Sequence, residues 1–139
     1  MSATETPATC GELVQGTLDG APCLVSCPID LWATASIVLR DQQGWMTPDD
    51  APKTAQAILV ALSLLGRTET GGALRLRSPI PRGRGYGSST ADIVAALSAL
   101  SDALATPLSP EQAAAIAVHV EPSDSTMFPG LALFDHRCG

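Results

Sequence analysis

The sequence has 139 residues, of which 45% are hydrophobic and 16% are charged, so the composition is that of a globular domain with an apolar core and not of a disordered chain. Its 8 basic residues against 14 acidic ones leave a net charge of -6, which excludes the basic face that nucleic-acid binding requires. Because no apolar run is long enough to span a bilayer and the first residues lack a signal-peptide pattern, we expect a cytoplasmic protein with no membrane or nucleic-acid partner.

The first third of the chain is rich in β-branched and small apolar residues, a composition typical of strands. The short segment "GELVQG" is followed by a turn at Gly20 and Pro22, and then by "CLVSCPI" and "WATASIVLR". These three segments predict an antiparallel sheet with three early strands.

The middle of the chain predicts one helix and one strand. Pro52 suits the first turn of a helix over about residues 52–65, and Gly66 suits its end. The apolar face of this helix is predicted to consist of Ile58, Leu59, Leu62 and Leu65. The segment "GALRLRS" then alternates at period two, which predicts a half-buried strand with its leucines inward and its arginines outward.

Two further helices are predicted in the second half of the chain. The first covers about residues 89–104, and its apolar face consists of Ile93, Val94, Leu97, Leu100 and Leu104. The second begins at "SPEQ", where Ser109 caps the helix and Gln112 reaches back, and it continues to about Val120. A short strand is predicted at residues 131–134. Early antiparallel strands followed by interleaved helices indicate the fold class α+β.

The four cysteines do not predict a zinc site. Cys23 and Cys27 are four residues apart, no histidine follows them at zinc-finger spacing, and Cys10 and Cys138 lie far from each other in the sequence. We expect reduced and mostly buried thiols.

A glycine-rich segment, residues 81–87, stands directly before the second predicted helix and is called the glycine loop below. It and the residues after it contain Gly83, Arg84, Gly85, Tyr86, Gly87, Ser88, Ser89 and Thr90. The N-terminus of a helix has free backbone amides and a partial positive charge, and glycines let these amides converge on an anion. A hydroxyl beside a bound phosphate is also a natural Mg²⁺ ligand, so the segment predicts phosphate binding.

The same residues also fit an ordinary turn from strand to helix. In that interpretation the glycines provide tight geometry and Ser89 caps the helix, with Asp92 as its capping-box partner. The segment lacks the lysine of a Walker A loop, the spacing of a dinucleotide-binding loop and the G-x-S-x-G elbow of serine hydrolases. From the residues alone, phosphate binding and a structural turn both stay open.

The segment "PIPRGRGYGSSTADIVAAL" resembles the second motif of the GHMP small-molecule kinases, P-x-x-x-G-L-G-S-S-A-A, with Tyr86 in place of the usual Leu and Thr90 in place of the usual Ala. The segments "TCGELVQG", "LVSCPIDLWATASI" and "VEPSDSTMFPGLALFDH" are similar to stretches of the L-threonine kinases of coenzyme B12 synthesis. The resemblance implies that residues 1–139 form the N-terminal, ATP-binding domain of such a kinase. It also implies an activity, the phosphorylation of the L-threonine hydroxyl with ATP and Mg²⁺ as cofactors.

The resemblance implies a nucleotide site and a metal site. The phosphates of ATP would lie against Pro81, Gly83, Arg84, Gly85, Tyr86, Gly87, Ser88, Ser89 and Thr90. Mg²⁺ would be held by Ser89 and Glu121. From the residues alone, Glu121 equally fits a solvated position at the end of a helix.

The resemblance also implies catalytic and acceptor-binding residues. Asp124 would be the catalytic base, and Arg84 or Arg82 would neutralise charge on the transferred phosphoryl group. Glu12 and Gln15 would lie near the acceptor. From the residues alone, Asp124 also fits an Asx-type turn in "PSDS", and the arginines also fit solvated loop positions.

GHMP kinases have a second domain that completes the cleft, and we find no counterpart of it in this sequence. We therefore expect a truncated or split kinase, whose partner is a separate chain with the C-terminal domain or a second copy of this chain. Apolar surface is expected to be exposed where that domain packs. Three alternatives stay open: a remnant without activity that binds nucleotide or a partner chain, a kinase for homoserine or another small hydroxyl compound, and a hydrolase using Ser88 or Ser89 with His119.

Overall fold

The computed structural model describes residues 2–139 and contains a mixed sheet with three helices. The strands are Ser2–Leu18 (β1), Ala21–Arg40 (β2), Trp45–Met46 (β3), Gly71–Arg77 (β4) and Leu133–Phe134 (β5). The helices are Pro52–Leu64 (α1), Ser88–Ala103 (α2) and Pro110–Val120 (α3). Early antiparallel strands followed by interleaved helices confirm the predicted α+β class.

Residues 2–40 form one long hairpin and not the three strands that we predicted. β1 and β2 pair antiparallel from Ser2 opposite Ile37 to Leu18 opposite Ala21, and a tight turn at Asp19 and Gly20 joins them. The prediction was wrong because we took the glycines and prolines as strand ends. Shifts in the pairing register, which are β-bulges, absorb these residues within continuous strands.

The sheet has the strand order β1-β2-β4-β3, and β5 also pairs with β2. Because β1 pairs with β2 along nearly its full length, β4 and β5 occupy different parts of the opposite edge of β2. β4 and β5 are antiparallel to β2, whereas β3 is parallel to β4. β1 is therefore an edge strand of the sheet.

Helix α2 lies at the centre of the core, in contact with the sheet and with both other helices. Its predicted apolar residues Ile93, Leu97 and Leu100 are buried. The predicted face of α1 is partly wrong, because Leu59 is 58% exposed while Ala57 and Ala61 are fully buried. Small alanine side chains allow the helices to approach each other closely. We missed this part of the face because we looked for large apolar residues.

The N-terminus of α3 has the predicted capping box. The Ser109 hydroxyl accepts a hydrogen bond from the backbone N–H of Gln112 at 3.2 Å, and the Gln112 side chain accepts one from the Ser109 N–H at 2.9 Å. We expect Ser109→Ala to lower the free energy of unfolding by about 1 kcal/mol, measured by urea denaturation. Ser98→Ala, within α2, is the control, because it removes a hydroxyl that does not cap a helix. Equal destabilisation by Ser109→Ala and Ser98→Ala would contradict the assignment of Ser109 as a helix cap.

The cysteines differ from the expectation of mostly buried thiols. Cys10 and Cys138 are exposed, and Cys23 and Cys27 are partly buried. Cys10, Cys23 and Cys27 lie on the hairpin, whose turn end is exposed, whereas Cys138 follows β5 near the end of the described residues. Within residues 2–139, none of the helices has the length and apolar character needed to cross a membrane.

Candidate functional site

The glycine loop enters α2 through residues in the left-handed backbone region. Gly83, Gly85 and Gly87 have φ values of 65°, 78° and 62°, which favour glycine. Gly87 is the N-cap of α2, and no side chain caps the first turn. The expectation that Ser89 caps this helix with Asp92 is therefore wrong, because the helix already begins at Ser88. The first amides of α2 are left without a side-chain acceptor, as an anion-binding helix end requires.

The carboxylate of Asp124 lies against the last glycine of the loop. A Cβ atom placed on Gly87 would be 2.5 Å from Asp124 Oδ2 and 3.0 Å from the hydroxyl oxygen of Thr9. Only glycine fits this position, both for its backbone angle and for this close approach. The loop is also attached to the sheet here, because the N–H of Thr9 donates a hydrogen bond to the carbonyl of Tyr86 at 2.9 Å.

Asp124 is held between the sheet and α2. The Ser26 hydroxyl, on β2, donates a hydrogen bond to Asp124 Oδ1 at 3.0 Å, and the Asp124 N–H donates one to the hydroxyl oxygen of Thr90 at 3.2 Å. Burial raises the pKa of Asp124 above its ordinary value, and the negative charges of Glu12 and Glu121 act in the same direction, against the Ser26 hydrogen bond. A carboxylate with a raised pKa is a better proton acceptor than an exposed one.

A cleft of about 280 Å³ opens beside the α2 N-terminus. The polar side chains that line it are Asp50, Lys53, Thr54, Arg82, Ser88, Ser89 and Asp92. Both residues of the serine pair thus line a cleft that also contains two cations. This combination suits a phosphate group.

Arg82 is fixed at the edge of this cleft by two carboxylates. Its guanidinium lies 3.4 Å from Asp50 Oδ2 and 3.4 Å from Asp92 Oδ2, and it donates a hydrogen bond to the Asp50 carbonyl at 2.8 Å. Asp92 is only 2% exposed, and burial raises its pKa while Arg82 lowers it. Arg82 therefore lines the cleft, whereas Arg84 is exposed on the loop and does not.

Lys53 is a residue of the cleft that the sequence analysis missed. Its ammonium group donates a hydrogen bond to Glu121 Oε2. Lys53 lies in the first turn of α1 and Glu121 at the C-terminal cap of α3, so each charge is at the helix end where the helix dipole disfavours it. The misplaced charge of Lys53, which is the only lysine of the sequence, was a signal that could have identified it.

The ion pair between Lys53 and Glu121 can be tested by a double-mutant cycle. The side chains are 55% and 15% exposed, so solvent screens much of their attraction, and we expect a coupling free energy of about 0.5–1 kcal/mol in favour of folding. Lys53→Met, Glu121→Gln and the double variant would be compared by urea denaturation at low and high salt. A coupling of zero at low salt would contradict the pairing.

The remaining predicted site residues lie in three surroundings. Thr90 is buried, and its hydroxyl contacts the Asp124 backbone. Glu12 is opposite Ser26 on β1 and close enough to Asp124 to raise its pKa, whereas Gln15 lies farther along the exposed part of the strand, opposite Leu24. The exposed residues of the glycine loop are Pro81, Arg82, Gly83, Arg84, Gly85 and Tyr86.

Ser26 and Thr9 were also missed by the sequence analysis, although both lie in segments that it found similar to L-threonine kinases. They become recognisable only when the pairing of β1 with β2 brings both to the end of α2. His119, the base of the hydrolase alternative, is exposed on α3 and does not line the cleft that contains Ser88 and Ser89.

Comparisons with known proteins identify the family of this chain. Residues 53–129 match the model of the GHMP kinases N terminal domain. Over 140 residues the chain is 34% identical to an L-threonine kinase of Citrobacter freundii. The alignment covers 99% of this chain and 47% of that kinase. The chain therefore spans about half the length of the curated relatives it matches.

Solved structures share the fold. The mevalonate kinase of Methanococcus jannaschii superposes with a TM-score of 0.78 at 19% identity, over 97% of this chain and 53% of that one. A putative homoserine kinase of Listeria monocytogenes superposes with a TM-score of 0.60 at 25% identity, over 91% of this chain and 46% of that one. Because the match to the N-terminal domain of the GHMP kinases covers more than half of this chain, the chain belongs to that family.

Proposed function

We propose that this chain is the phosphate-binding half of an ATP-dependent kinase that phosphorylates the hydroxyl of L-threonine to give O-phospho-L-threonine for cobalamin synthesis. The observation that carries the proposal is the contact between Gly87, at the uncapped N-terminus of α2, and the carboxylate of Asp124. An anion-binding helix end and a proton acceptor with a raised pKa are thereby adjacent. The choice of L-threonine is supported by the 34% identity with L-threonine kinases.

The nucleotide phosphates would occupy the cleft beside the glycine loop. The free amides of α2 would donate hydrogen bonds to phosphate oxygens, and the left-handed glycines would let the backbone approach them. Arg82 and Lys53 would neutralise part of the negative charge. These residues bind and orient the phosphates, which is most of what phosphoryl transfer requires of a protein.

Ser89 and Glu121 fit Mg²⁺, and Glu121 is joined to the cleft through its ion pair with Lys53. Ser89 lines the cleft, and Glu121 Oε1 is buried without a hydrogen-bond partner among the described residues. No group of three or more His, Cys, Asp or Glu side chains within residues 2–139 could hold a metal by itself. Mg²⁺ prefers oxygen ligands and often takes only one or two from the protein, with phosphate and water completing its shell. When bound, it would neutralise charge on the phosphates.

The acceptor hydroxyl would lie beside Asp124. The carboxylate would accept the proton of the hydroxyl at Oδ2, while the Ser26 hydroxyl holds Oδ1 in place. Glu12 lies near this carboxylate and would contact the ammonium group of an amino-acid acceptor. Gln15 lies farther along β1. It would be contacted only by an acceptor that extends beyond the reacting hydroxyl, or by the second domain.

The other half of the kinase would pack against the hairpin end, either as a separate chain or as a second copy. Leu13, Val14 and Leu18 on β1 are 53–57% exposed, and Leu131 and Leu133 are 60% and 57% exposed on the segment that pairs with β2. Exposed apolar side chains on an unprotected edge strand are typical of an interface.

Two measurements test the proposal. Titration of the chain with Mg²⁺ and ATP should show saturable binding that Ser89→Ala and Glu121→Gln weaken. Phosphorus NMR with L-threonine should then show O-phosphothreonine, with the chain alone or after addition of its second half. Binding without turnover under both conditions would identify a remnant, and absence of binding would contradict the proposal.

A kinase for homoserine is the second candidate, because the fold of a putative homoserine kinase superposes on this chain at 25% identity. The same NMR experiment with L-homoserine in parallel distinguishes the two acceptors. A higher rate with L-homoserine would replace L-threonine in the proposal and leave the roles of the cleft residues unchanged.

A further inference from the structure

Two cysteines face each other across the hairpin where its register shifts. Thr9 pairs with Pro28 and Glu12 pairs with Ser26, so Cys10 and Gly11 together lie opposite the single residue Cys27. Two residues opposite one is the arrangement of a β-bulge, and Gly11 has the positive φ, 100°, that such a bulge can require.

Both thiols point to the same face of the sheet. Thr9 and Ser26 are 1% and 0% exposed and face the core. Because side chains alternate along a strand, the next residues Cys10 and Cys27 face the opposite side, where Cys10 is exposed and Cys27 is partly buried. The Cys10 thiol is the largest influence that raises the pKa of Cys27, which agrees with the placement of the two residues opposite each other.

The spacing of paired strands permits a bond between these thiols. Residues opposite each other in a regular antiparallel pair have Cα atoms about 4.5–5.5 Å apart, within the range of about 4.4–6.8 Å that disulfides span. Cys10 and Cys27 lie between two such pairs, Thr9 with Pro28 and Glu12 with Ser26, so we expect a similar separation. Cys23 lies opposite Gly16, and four residues along the strand correspond to about 13 Å from Cys27. Cys10 therefore has Cys27 as its nearest partner on β2.

Each of these cysteines directly follows a residue of the candidate site. Thr9 donates its N–H to the Tyr86 carbonyl of the glycine loop, and Ser26 donates its hydroxyl to Asp124. We propose that Cys10 and Cys27 are a redox-sensitive pair that closes into a cross-strand disulfide under peroxide, and that closure acts on the candidate site through Thr9 and Ser26. The effect on the site rests on the proposed function, whereas the disulfide does not.

The oxidation proceeds in two steps. The exposed Cys10 thiolate attacks hydrogen peroxide, so that an S–O bond forms, the O–O bond breaks, and water leaves after protonation. The Cys27 thiolate then attacks the Cys10 sulfur, so that the S–S bond forms, the S–O bond breaks, and hydroxide leaves as a second water after protonation. In total, two thiols lose two electrons and two protons to the peroxide, and a dithiol reductant reverses the change.

The disulfide is tested by counting thiols and mapping the bond. We expect the four thiols of the chain to fall to two after treatment with hydrogen peroxide, and to return to four with a dithiol. A protease specific for glutamate cuts after Glu12, between the two cysteines, so the linked peptides would be recovered by mass spectrometry. A protease specific for basic residues would not separate them, because the first basic residue is Arg40.

Matched variants distinguish this pair from other thiol chemistry. Cys23→Ser and Cys138→Ser should still lose two thiols, whereas Cys10→Ser and Cys27→Ser should form no intramolecular bond. Retention of all thiols, a bond from Cys10 to Cys23, or bonds only between molecules would overturn the disulfide.

The effect on the site has a readout that does not depend on catalysis. Because the disulfide would tether the bulge to β2, we expect slower hydrogen exchange at the Thr9 amide in the oxidised protein, and no change in peroxide-treated Cys10→Ser. Mg-ATP affinity should also differ between the reduced and oxidised forms. A disulfide with unchanged Thr9 exchange and unchanged affinity would overturn the coupling. Failure of the proposed function would give a different result from failure of the coupling. Neither the reduced nor the oxidised form would then bind nucleotide, but oxidation would still slow exchange at the Thr9 amide.

Discussion

Gly87→Ala is expected to lower the free energy of unfolding by about 2–4 kcal/mol and to abolish measurable binding of Mg-ATP. The methyl group would lie 2.5 Å from Asp124 Oδ2 and 3.0 Å from the Thr9 hydroxyl oxygen. Alanine also disfavours the φ of 62° that Gly87 adopts. To relieve both, the loop and Asp124 would have to separate, which removes the arrangement that we assign to phosphate binding.

Gly85→Ala is the matched control for this prediction. Gly85 also has a positive φ, 78°, but a Cβ atom there would meet nothing within 4 Å. We expect a cost of about 1–2 kcal/mol from the backbone conformation alone. Urea denaturation of both variants, followed by ATP titration of the folded protein, separates conformational strain from the clash with Asp124. Equal losses in the two variants would contradict the role of the Asp124 contact.

The helices and the position of the glycine loop could be predicted from the sequence, because their signals are local. Pro52, the "SPEQ" capping box and the glycines before α2 depend on residues within one or two turns. The predicted helix bounds consequently agree with the structure to within about a residue. The number of strands could not be predicted in this way, since whether Gly11 ends a strand or forms a bulge depends on its partner strand.

The composition of the candidate site could be predicted only in part. The resemblance named Ser89, Glu121 and Asp124, but the contacts that give them their chemistry come from distant segments. Ser26 is 98 residues from Asp124 and Lys53 is 68 residues from Glu121. Such pairs depend on how β2 and α1 pack against the end of α3, which no short sequence pattern encodes. One local sign of such a pair is a charged residue at the helix end where the helix dipole disfavours its charge, as for Lys53 and Glu121.

Asp124→Asn is expected to lower the rate of phosphoryl transfer by about 10²–10⁴-fold and to leave ATP affinity within a few-fold of the original. Asparagine can still accept the Ser26 hydrogen bond, so the local geometry is retained while the proton acceptor is removed. Asp50→Asn is the control, because Asp50 is a carboxylate of the cleft beside the α2 N-terminus whose side chain is 76% exposed. A similar rate loss in both variants would indicate an effect of charge and not of the base.

The pH dependence of Asp124 provides a second test of this role. Because burial raises the pKa of Asp124 above its ordinary value of 3.8, the folded protein binds the proton more tightly than the unfolded chain. Ionised Asp124 therefore costs stability, and the cost grows as pH rises from the unfolded pKa to the folded one. Asp124→Asn should thus be more stable than the original protein near neutral pH, with a difference that disappears in acid. The proposed kinase activity of the original protein should fall as pH falls through the raised pKa, because the carboxylate is then protonated. A stability difference that does not change with pH would contradict the raised pKa, and an unchanged rate in the variant would contradict the assignment of Asp124 as the base.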